Sequence, residues 1–494
     1  MAVWLWWFWV LWGLRVAWGV GVNWGSLSSN PLPPAIVVNV LLANNVSKVK
    51  LDDADPLALE ALSGTGIRVM VGIPNSMLKA LNSSKLAASA WVHDNITRYQ
   101  SKTGGVIIDG RGEANGGARM RSLRSIAIGD EPFLHIYKGQ FQPYVVGAAI
   151  NIQLALVKAR LETRVKVVVP CNADAYLSNP SGLPSEGHFR PDLNSTMLQL
   201  LSFLSKNRSP FVINLYPFLN VYQNKSFPID YAIFRPSSHH LKDGKSTYGN
   251  YLDQSIDTLI TALSNLGFGK MEVLIGKIGW PTDGSRNATS ANARAFLQGL
   301  KDHLKSKSGT PLRPNRTIVE EFYILSLLDE NERKLINGGF ERHWGVFTFD
   351  GQAKYQVDLG QGSRDLVNSK GVEYMSLKWC VVNNNKDISN VSAKVQEACA
   401  EADCTALLDG GSCFGLGWPG NASYAFNSYY QAWNQTSEGC NFDGLGLITT
   451  VDPSVGQCRF PVGLNESRAI ASMCNMFLAA MLSAVAFYLI SFVS

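Results

Sequence analysis

The stretch "VLIGKIGWPTDG", Val273–Gly284, decides how this chain is read. A short apolar run breaks into Gly, Trp, Pro and Asp, the form of a buried strand that delivers side chains to a functional rim. Similar runs recur on either side: "VGVNWG" (20–25), "KVKLDD" (48–53), "IRVMVGIPN" (67–75), "SIAIGDEP" (125–132), "VKVVVPCN" (165–172), "FVINLYP" (211–217) and "FYILSLLDE" (322–330). Helical patterns such as "PPAIVVNVLLANN", "STMLQLLSFLSKN" and "ARAFLQGLKDHLKS" lie between them. Alternating strands and helices of this number predict an α/β fold, a (β/α)8 TIM barrel over 20–360. The eighth strand has a competitor in "WGVFTFDG" (344–351).

Chemistry in such a barrel collects where the strands end, and their bodies are expected to stay apolar. Those ends carry Asn23, Asn75, Asp130, Glu131, Asn172, Tyr216, Lys277, Trp280 and Glu330. Acids, amides and aromatics together suit a carbohydrate cleft, where rings stack on sugars and carboxylates or amides bind hydroxyls. Asp52 and Asp53 read as solvated or helix-capping acids outside the site. Lys277 is the odd member, a cation after an apolar run and before an aromatic.

The 494 residues carry a formal charge of +5, with no basic run tracking a helix face. That balance suits an acidic extracellular matrix and gives no support to nucleic-acid binding. "MAVWLWWFWVLWGLRVAWG" (1–19) resembles a secretory signal. The region 462–494 ends in the apolar "MCNMFLAAMLSAVAFYLISFVS", preceded by the small residues Ser467, Ala469, Ala471 and Ser472. It reads as a GPI-attachment signal or a C-terminal transmembrane tail, so the membrane is an expected partner. N-x-S/T sequons from Asn45 to Asn465 fit a glycoprotein of the secretory pathway.

Six of the eight cysteines, Cys380, Cys399, Cys404, Cys413, Cys440 and Cys458, crowd into one C-terminal segment. Six cysteines allow fifteen pairings, so spacing alone predicts a disulfide framework without its connectivity. Cys171 reads as a buried thiol, and Cys474 stands apart in the tail. CxxC pairs are absent, and neither metal nor cofactor is expected. A polar linker at 361–378 separates the barrel from a small disulfide-rich module at 379–461. "DGRGEANGGARMRSL" (109–123) reads as a surface insertion.

"GVNWG", "VMVGIPN", "IAIGDEPF", "INLYPFLN", "GWPTDG" and "FERHWGVFTFDGQAKY" are similar to the plant endo-1,3-β-glucanases of glycoside hydrolase family 17. "WCVVN", "GSCFGLGWPGNASYAFNSYYQAW", "GCNFDGLG" and "VDPSVGQCRF" resemble carbohydrate-binding module family 43. The second resemblance implies the pairs Cys380–Cys440, Cys399–Cys404 and Cys413–Cys458. In the helix-like "SYAFNSYYQAW" (423–433), Tyr429, Tyr430 and Trp433 cannot all face so small a core, which leaves one or two for glucan.

The first resemblance implies retaining hydrolysis of 1,3-β-glucan (callose, laminarin) by two carboxylates, a proton donor and a nucleophile. The donor belongs after the fourth strand in an Asn-Glu pair, which here is Asp130-Glu131. The nucleophile belongs after the seventh strand in Glu-x-Gly-Trp-Pro, where this chain has Lys277. Glu330 and Glu341 match further cleft acids, and Arg333 stands where the family has a lysine. Tyr216 and Trp280 are expected at the sugar.

A lysine cannot act as the carboxylate nucleophile. Beside Glu131 its charge is expected to favour the ionised carboxylate, turning Glu131 into a salt-bridged acid, with Asp130 as a further partner for Lys277. Two functions therefore compete. One is a cell-surface and cell-wall protein that binds 1,3-β-glucan with hydrolysis lost or much reduced. The other is an active retaining endo-1,3-β-glucosidase with Glu131 as acid/base.

Overall fold

The computed structural model of the chain describes residues 20–99, 125–178, 181–319 and 321–465. The expected signal segment, the insertion at 109–123 and the tail carrying Cys474 lie outside them.

Eight parallel strands close into a barrel. They are β1 (Gly21–Trp24), β2 (Lys48–Leu51), β3 (Arg68–Ile73), β4 (Ser125–Ile128), β5, β6 (Phe211–Leu215), β7 (Val273–Ile278) and β8 (Phe322–Ile324). β5 is one strand in two pieces, Lys166–Val168 and Pro170–Asn172. Its first piece pairs with β4 and its second with β6, while β1 pairs with both β2 and β8. Each of these eight strands is thus paired on both sides. "WGVFTFDG" joins no strand of the sheet: Phe347 makes two isolated bridges, parallel to Leu328 beyond the end of β8 and antiparallel to Ala353.

Helices form the outer layer where apolar residues recur at helical spacing. Ser290–Ser306 buries Ala293, Phe296, Leu297, Leu300 and Leu304, and Thr289 caps it by accepting from Asn292 N. Tyr251–Asn265 starts in the same way, with Asn250 accepting from Asp253 N. Inside the barrel, β3 to β8 each send one residue into a central layer of Met70, Ala127, Val168, Val212, Leu274 and Tyr323.

β2 departs from the apolar pattern expected of strand bodies. Val49 and Leu51 join the core under the helices, whereas Lys48 and Lys50 are buried on the other face. They survive there because each has a carboxylate partner: Glu321 lies 3.0 Å from Lys48, and Asp52 2.9 Å from Lys50. The alternation was present in "KVKL", since a period of two hands every second residue to the lumen.

β7 carries a bulge. Its register against β6 and β8 shifts after Ile275, and Asn23 Nδ2 donates to the freed Gly276 carbonyl at 3.1 Å. Strict alternation from Leu274 and Gly276 would point Ile278 and Trp280 into the lumen and Lys277 at the helices. One extra residue reverses all three. Lys277 turns inward, while Ile278 and Trp280 join the outer core.

Beyond the barrel, the expected linker 361–378 is tied down. Val367 and Asn44 exchange two hydrogen bonds (2.8 and 2.9 Å), and the Ser369 hydroxyl donates to the Asp350 carbonyl. The module that follows pairs Trp379–Val382 with Gly446–Thr449 as an antiparallel ribbon and packs the helices Val391–Glu401 and Gly420–Ala432 beside it. Cys380–Cys440, Cys399–Cys404 and Cys413–Cys458 are bonded, as the module resemblance implies, and Cys171 is a buried free thiol, as its isolation suggested. Tyr430 is buried, whereas Trp433 is exposed and stacks on Tyr429 at 5.4 Å.

Candidate active site

The end of β4 is held in an uncommon backbone conformation. Gly129 and Glu131 both have positive φ (70° and 51°). A Cβ on Gly129 would lie 2.4 Å from Asn75 Oδ1, so glycine is required. Asn75, at the end of β3, clamps the next peptide by donating to the Asp130 carbonyl (2.8 Å) and accepting from Asp130 N (3.0 Å). Glu131 N donates to the Pro170 carbonyl at 3.0 Å. These bonds offset a left-handed glutamate that by itself costs about 1–2 kcal/mol.

Glu131 is aimed by β6. Its Oε1 accepts from Tyr216 OH at 2.7 Å and from Asn214 Nδ2 at 3.0 Å. Burial, and then the negative charge of Asp130, push the Glu131 carboxyl up to about 7, against the pull of Lys277 and of these two donors. The expectation of a salt-bridged, ionised Glu131 is corrected, because Lys277 pairs with Asp130 and Asp52 and its pull on Glu131 is outweighed by burial and Asp130.

Lys277 Nζ lies 2.5 Å from Asp130 Oδ2 and 3.4 Å from Asp52 Oδ1. Lys50 closes the square, 2.9 Å from Asp52 and 3.3 Å from Asp130. Two cations and two anions thus neutralise one another inside the mouth of the barrel. Burial raises the Asp52 and Asp130 carboxyls, but Lys277 and then Lys50 outweigh it and hold both below the usual range. Burial lowers Lys277, but Asp130 and Asp52 outweigh it and hold its ammonium above the usual lysine range. Lys277 is therefore a permanent cation at neutral pH, unsuited to amine chemistry. Asp52, read as a solvated acid, belongs to the site.

Arg333 sits between two buried acids, with Glu330 at 3.1 Å and Glu341 at 3.5 Å. Glu330 also accepts from Leu27 N, and Glu341 from Asn337 Nδ2 and Trp344 Nε1. Both glutamates are thus engaged in holding the guanidinium. Trp280 does not take the expected place at the sugar. It is 1% exposed, packs edge-on to Phe218 at 5.2 Å, and donates Nε1 to the Asn287 carbonyl. The bulge in β7 put it there. Phe218 in turn meets Trp344, whose ring lies 6.0 Å from that of Tyr216.

A raised carboxyl pKa has a measurable consequence. The unfolded chain ionises Glu131 near its ordinary value of 4.5, whereas the folded chain keeps the proton to about 7. Stability should fall as pH rises through this window, by on the order of 3 kcal/mol at most. Glu131→Gln should flatten that slope in denaturant titrations at pH 4.5, 6 and 7.5. An unchanged slope would place the carboxyl's pKa near its ordinary value.

Residues 20–359 match the family described as Glycosyl hydrolases family 17. The chain belongs to that family. An X8 domain match covers 378–447. Glucan endo-1,3-beta-glucosidase 9 of Arabidopsis thaliana is 53% identical over 453 residues, covering 92% of this chain and 90% of the relative. Glucan endo-1,3-beta-glucosidase 5 of the same plant is 43% identical, with 92% and 90% covered. Among solved structures, CJP38, a beta-1,3-glucanase and allergen of Cryptomeria japonica pollen, is 30% identical. It superposes with a TM-score of 0.61 over 69% of this chain and 99% of its own.

In this family 17 barrel, Asp130, Glu131, Tyr216, Lys277 and Arg333 share the mouth, Glu330 and Glu341 support Arg333, and Trp280 stands behind. Sequence reading missed Lys50 and Asn214, both signalled by alternation: "KVK" and "VINLY" place every second residue inward. It reached Asn172 but gave it no role. Asn172 is 1% exposed, and among the described residues neither its Nδ2 nor its Oδ1 has a partner; Asn214 Oδ1 has none either. Buried amide atoms without protein partners are costly, and such atoms are satisfied by water or a ligand hydroxyl only where one can reach them. The mouth thus holds one carboxyl with a raised pKa beside amide atoms without partners. At the end of β7 it holds an ammonium locked between two carboxylates, Asp130 and Asp52.

Proposed function

We propose that this family 17 chain binds 1,3-β-glucan through its barrel cleft and its C-terminal module, with hydrolysis lost or much reduced. The substrate class rests on the curated relatives, which are named glucan endo-1,3-beta-glucosidases, and on the X8 match. The reduced chemistry rests on one observation, the buried Lys277 ammonium locked to Asp130 and Asp52. An attacking group there must be anionic and must stabilise an oxocarbenium-like centre, and a cation opposes both. In this reading Glu131 and Asp130 remain in the cleft as sugar-contacting groups, beside Tyr216, Arg333, the Asn172 amide and the Asn214 carbonyl oxygen.

A second reading is kept alive by Glu131. Its pKa near 7 is the tuning expected of a working acid/base. An active retaining endo-1,3-β-glucosidase would then need another carboxylate in the nucleophile's place.

The setting proposed with the first reading is the outer face of the plasma membrane and the cell wall. The signal-like 1–19 and the anchor-like 462–494 support it, as do three disulfides that need an oxidising compartment. Laminarin is the test substrate. The unaltered chain should retain it in affinity electrophoresis and release no reducing ends above background. Sustained release of reducing ends would establish the second reading instead.

A further inference from the structure

The module is seated on the loops that follow β7 and β8, on the same end of the barrel as the cleft. Asp283, in the "GWPTDG" loop, accepts from Ser412 N at 2.7 Å and from the Ser412 hydroxyl at 2.5 Å. Arg342 and His343, beyond β8, reach Asp403 (3.1 Å) and Thr405 (2.6 Å). Gly410 comes so close that a Cβ on it would lie 2.3 Å from Arg286 N. A flexibly tethered binder would have no reason for backbone-tight contact. An exposed ion pair such as Arg286–Asp409 adds little, but the Asp283 contacts are directional and come from one carboxylate to one residue.

Immediately after Ser412 the module exposes two large rings. Phe414 is 58% and Trp418 48% exposed, and Gly415 and Gly417 between them border open space. Exposed aromatics of this size flanking an intramolecular seam are suited to stacking on the apolar faces of sugar rings. Asp283 lies on the strand–loop unit that carries Lys277, so the seam ties this edge to the cleft.

We propose that the module is a fixed wall of the cleft's mouth, with Asp283 as its positioning residue. A 1,3-β-glucan chain long enough to cross the seam is then held by the cleft and by the Phe414–Trp418 edge at once. This inference rests on the glucan-binding reading. Fixing two sites at a set spacing raises the effective concentration of the second, so the gain appears only for ligands that reach both.

The full chain and an Asp283→Ala/Ser412→Ala variant would be titrated with a 1,3-β-glucan trisaccharide and with laminarin. Expected is a loss of laminarin affinity of roughly 10- to 100-fold, with trisaccharide affinity unchanged. Phe414→Ala/Trp418→Ala should give the same chain-length-dependent loss. Laminarin affinity that survives Asp283→Ala/Ser412→Ala would overturn the fixed-wall inference while leaving glucan binding intact. Failure of the unaltered chain to bind either sugar would instead overturn the glucan reading beneath it. Should Asp283→Ala also weaken the trisaccharide by disturbing the β7 loop, the module-side variant Asp403→Ala/Ser412→Ala, which removes Arg342's partner and the hydroxyl donated to Asp283, decides by the same two ligands.

Discussion

Lys277→Glu alone is expected to cost about 3–5 kcal/mol of stability and to yield no turnover of laminarin, whereas Lys277→Glu/Asp130→Asn is expected to hydrolyse it. The reason lies in the four-charge square. With lysine at 277, Asp52 and Asp130 are balanced by two ammonium groups. A glutamate there leaves three carboxylates around Lys50, in a site where uncompensated charge is expensive. Some of them will take up protons, and a protonated carboxyl at position 277 is no nucleophile. Neutralising position 130 cuts the three carboxylates to two, with Asp52 paired to Lys50 at 2.9 Å and the carboxylate at position 277 left free to act. It also recreates the Asn-Glu pair that the family resemblance implies, beside a Glu131 already poised as a proton donor. Thermal unfolding and reducing-end release on the native chain and the two variants check this. A stable, active Lys277→Glu single variant would show that Asp130 does not interfere.

Cys380→Ala/Cys440→Ala is expected to unfold the module while sparing the barrel. The bond closes a segment of 60 residues, and in the chain-entropy view its loss costs about 4 kcal/mol. Both sulfurs are buried in a core of few large residues, where Phe426 and Phe442 stack at 3.9 Å. So small a core has little reserve. Cys399→Ala/Cys404→Ala opens a segment of only 5 residues and should cost about 2 kcal/mol. Differential scanning calorimetry should show the module's unfolding lost in the first variant and lowered in the second. Retention on insoluble 1,3-β-glucan should fall in the same order. Equal loss in both would mean that loop length does not govern the module's stability.

The barrel was legible because its signal is redundant. Each strand is a β-branched run ending in Gly, Asn, Asp or Pro, and eight of them separated by amphipathic helices admit few folds. Glu131, Asp130 and Tyr216 were legible as strand-end polar residues. Asp52 was not, because an acid after "KVKL" looks like a solvated cap until Lys277, far along the chain, is brought to 3.4 Å. Trp280 was misplaced because a strand-end position suggested the sugar, whereas the bulge in β7 turns its ring to the outer core. The linker at 361–378 was legible as a connection, but its attachment to Asn44 and Asp350 depends on surfaces assembled only on folding.

The residues by themselves determined the barrel, the cysteine-rich module and a lysine at the end of the seventh strand. Local pattern suffices for these, because period-two alternation, turn residues and spacing act over short stretches. The tertiary structure decided what that lysine does. A bulge turned it inward, the closed sheet set Asp52, Asp130 and Lys50 around it, and those charges absorbed its field. Burial, and then the charge of Asp130, leave Glu131 with a raised pKa instead of a salt bridge. Electrostatic consequences follow distance and burial, and neither is a property of sequence spacing.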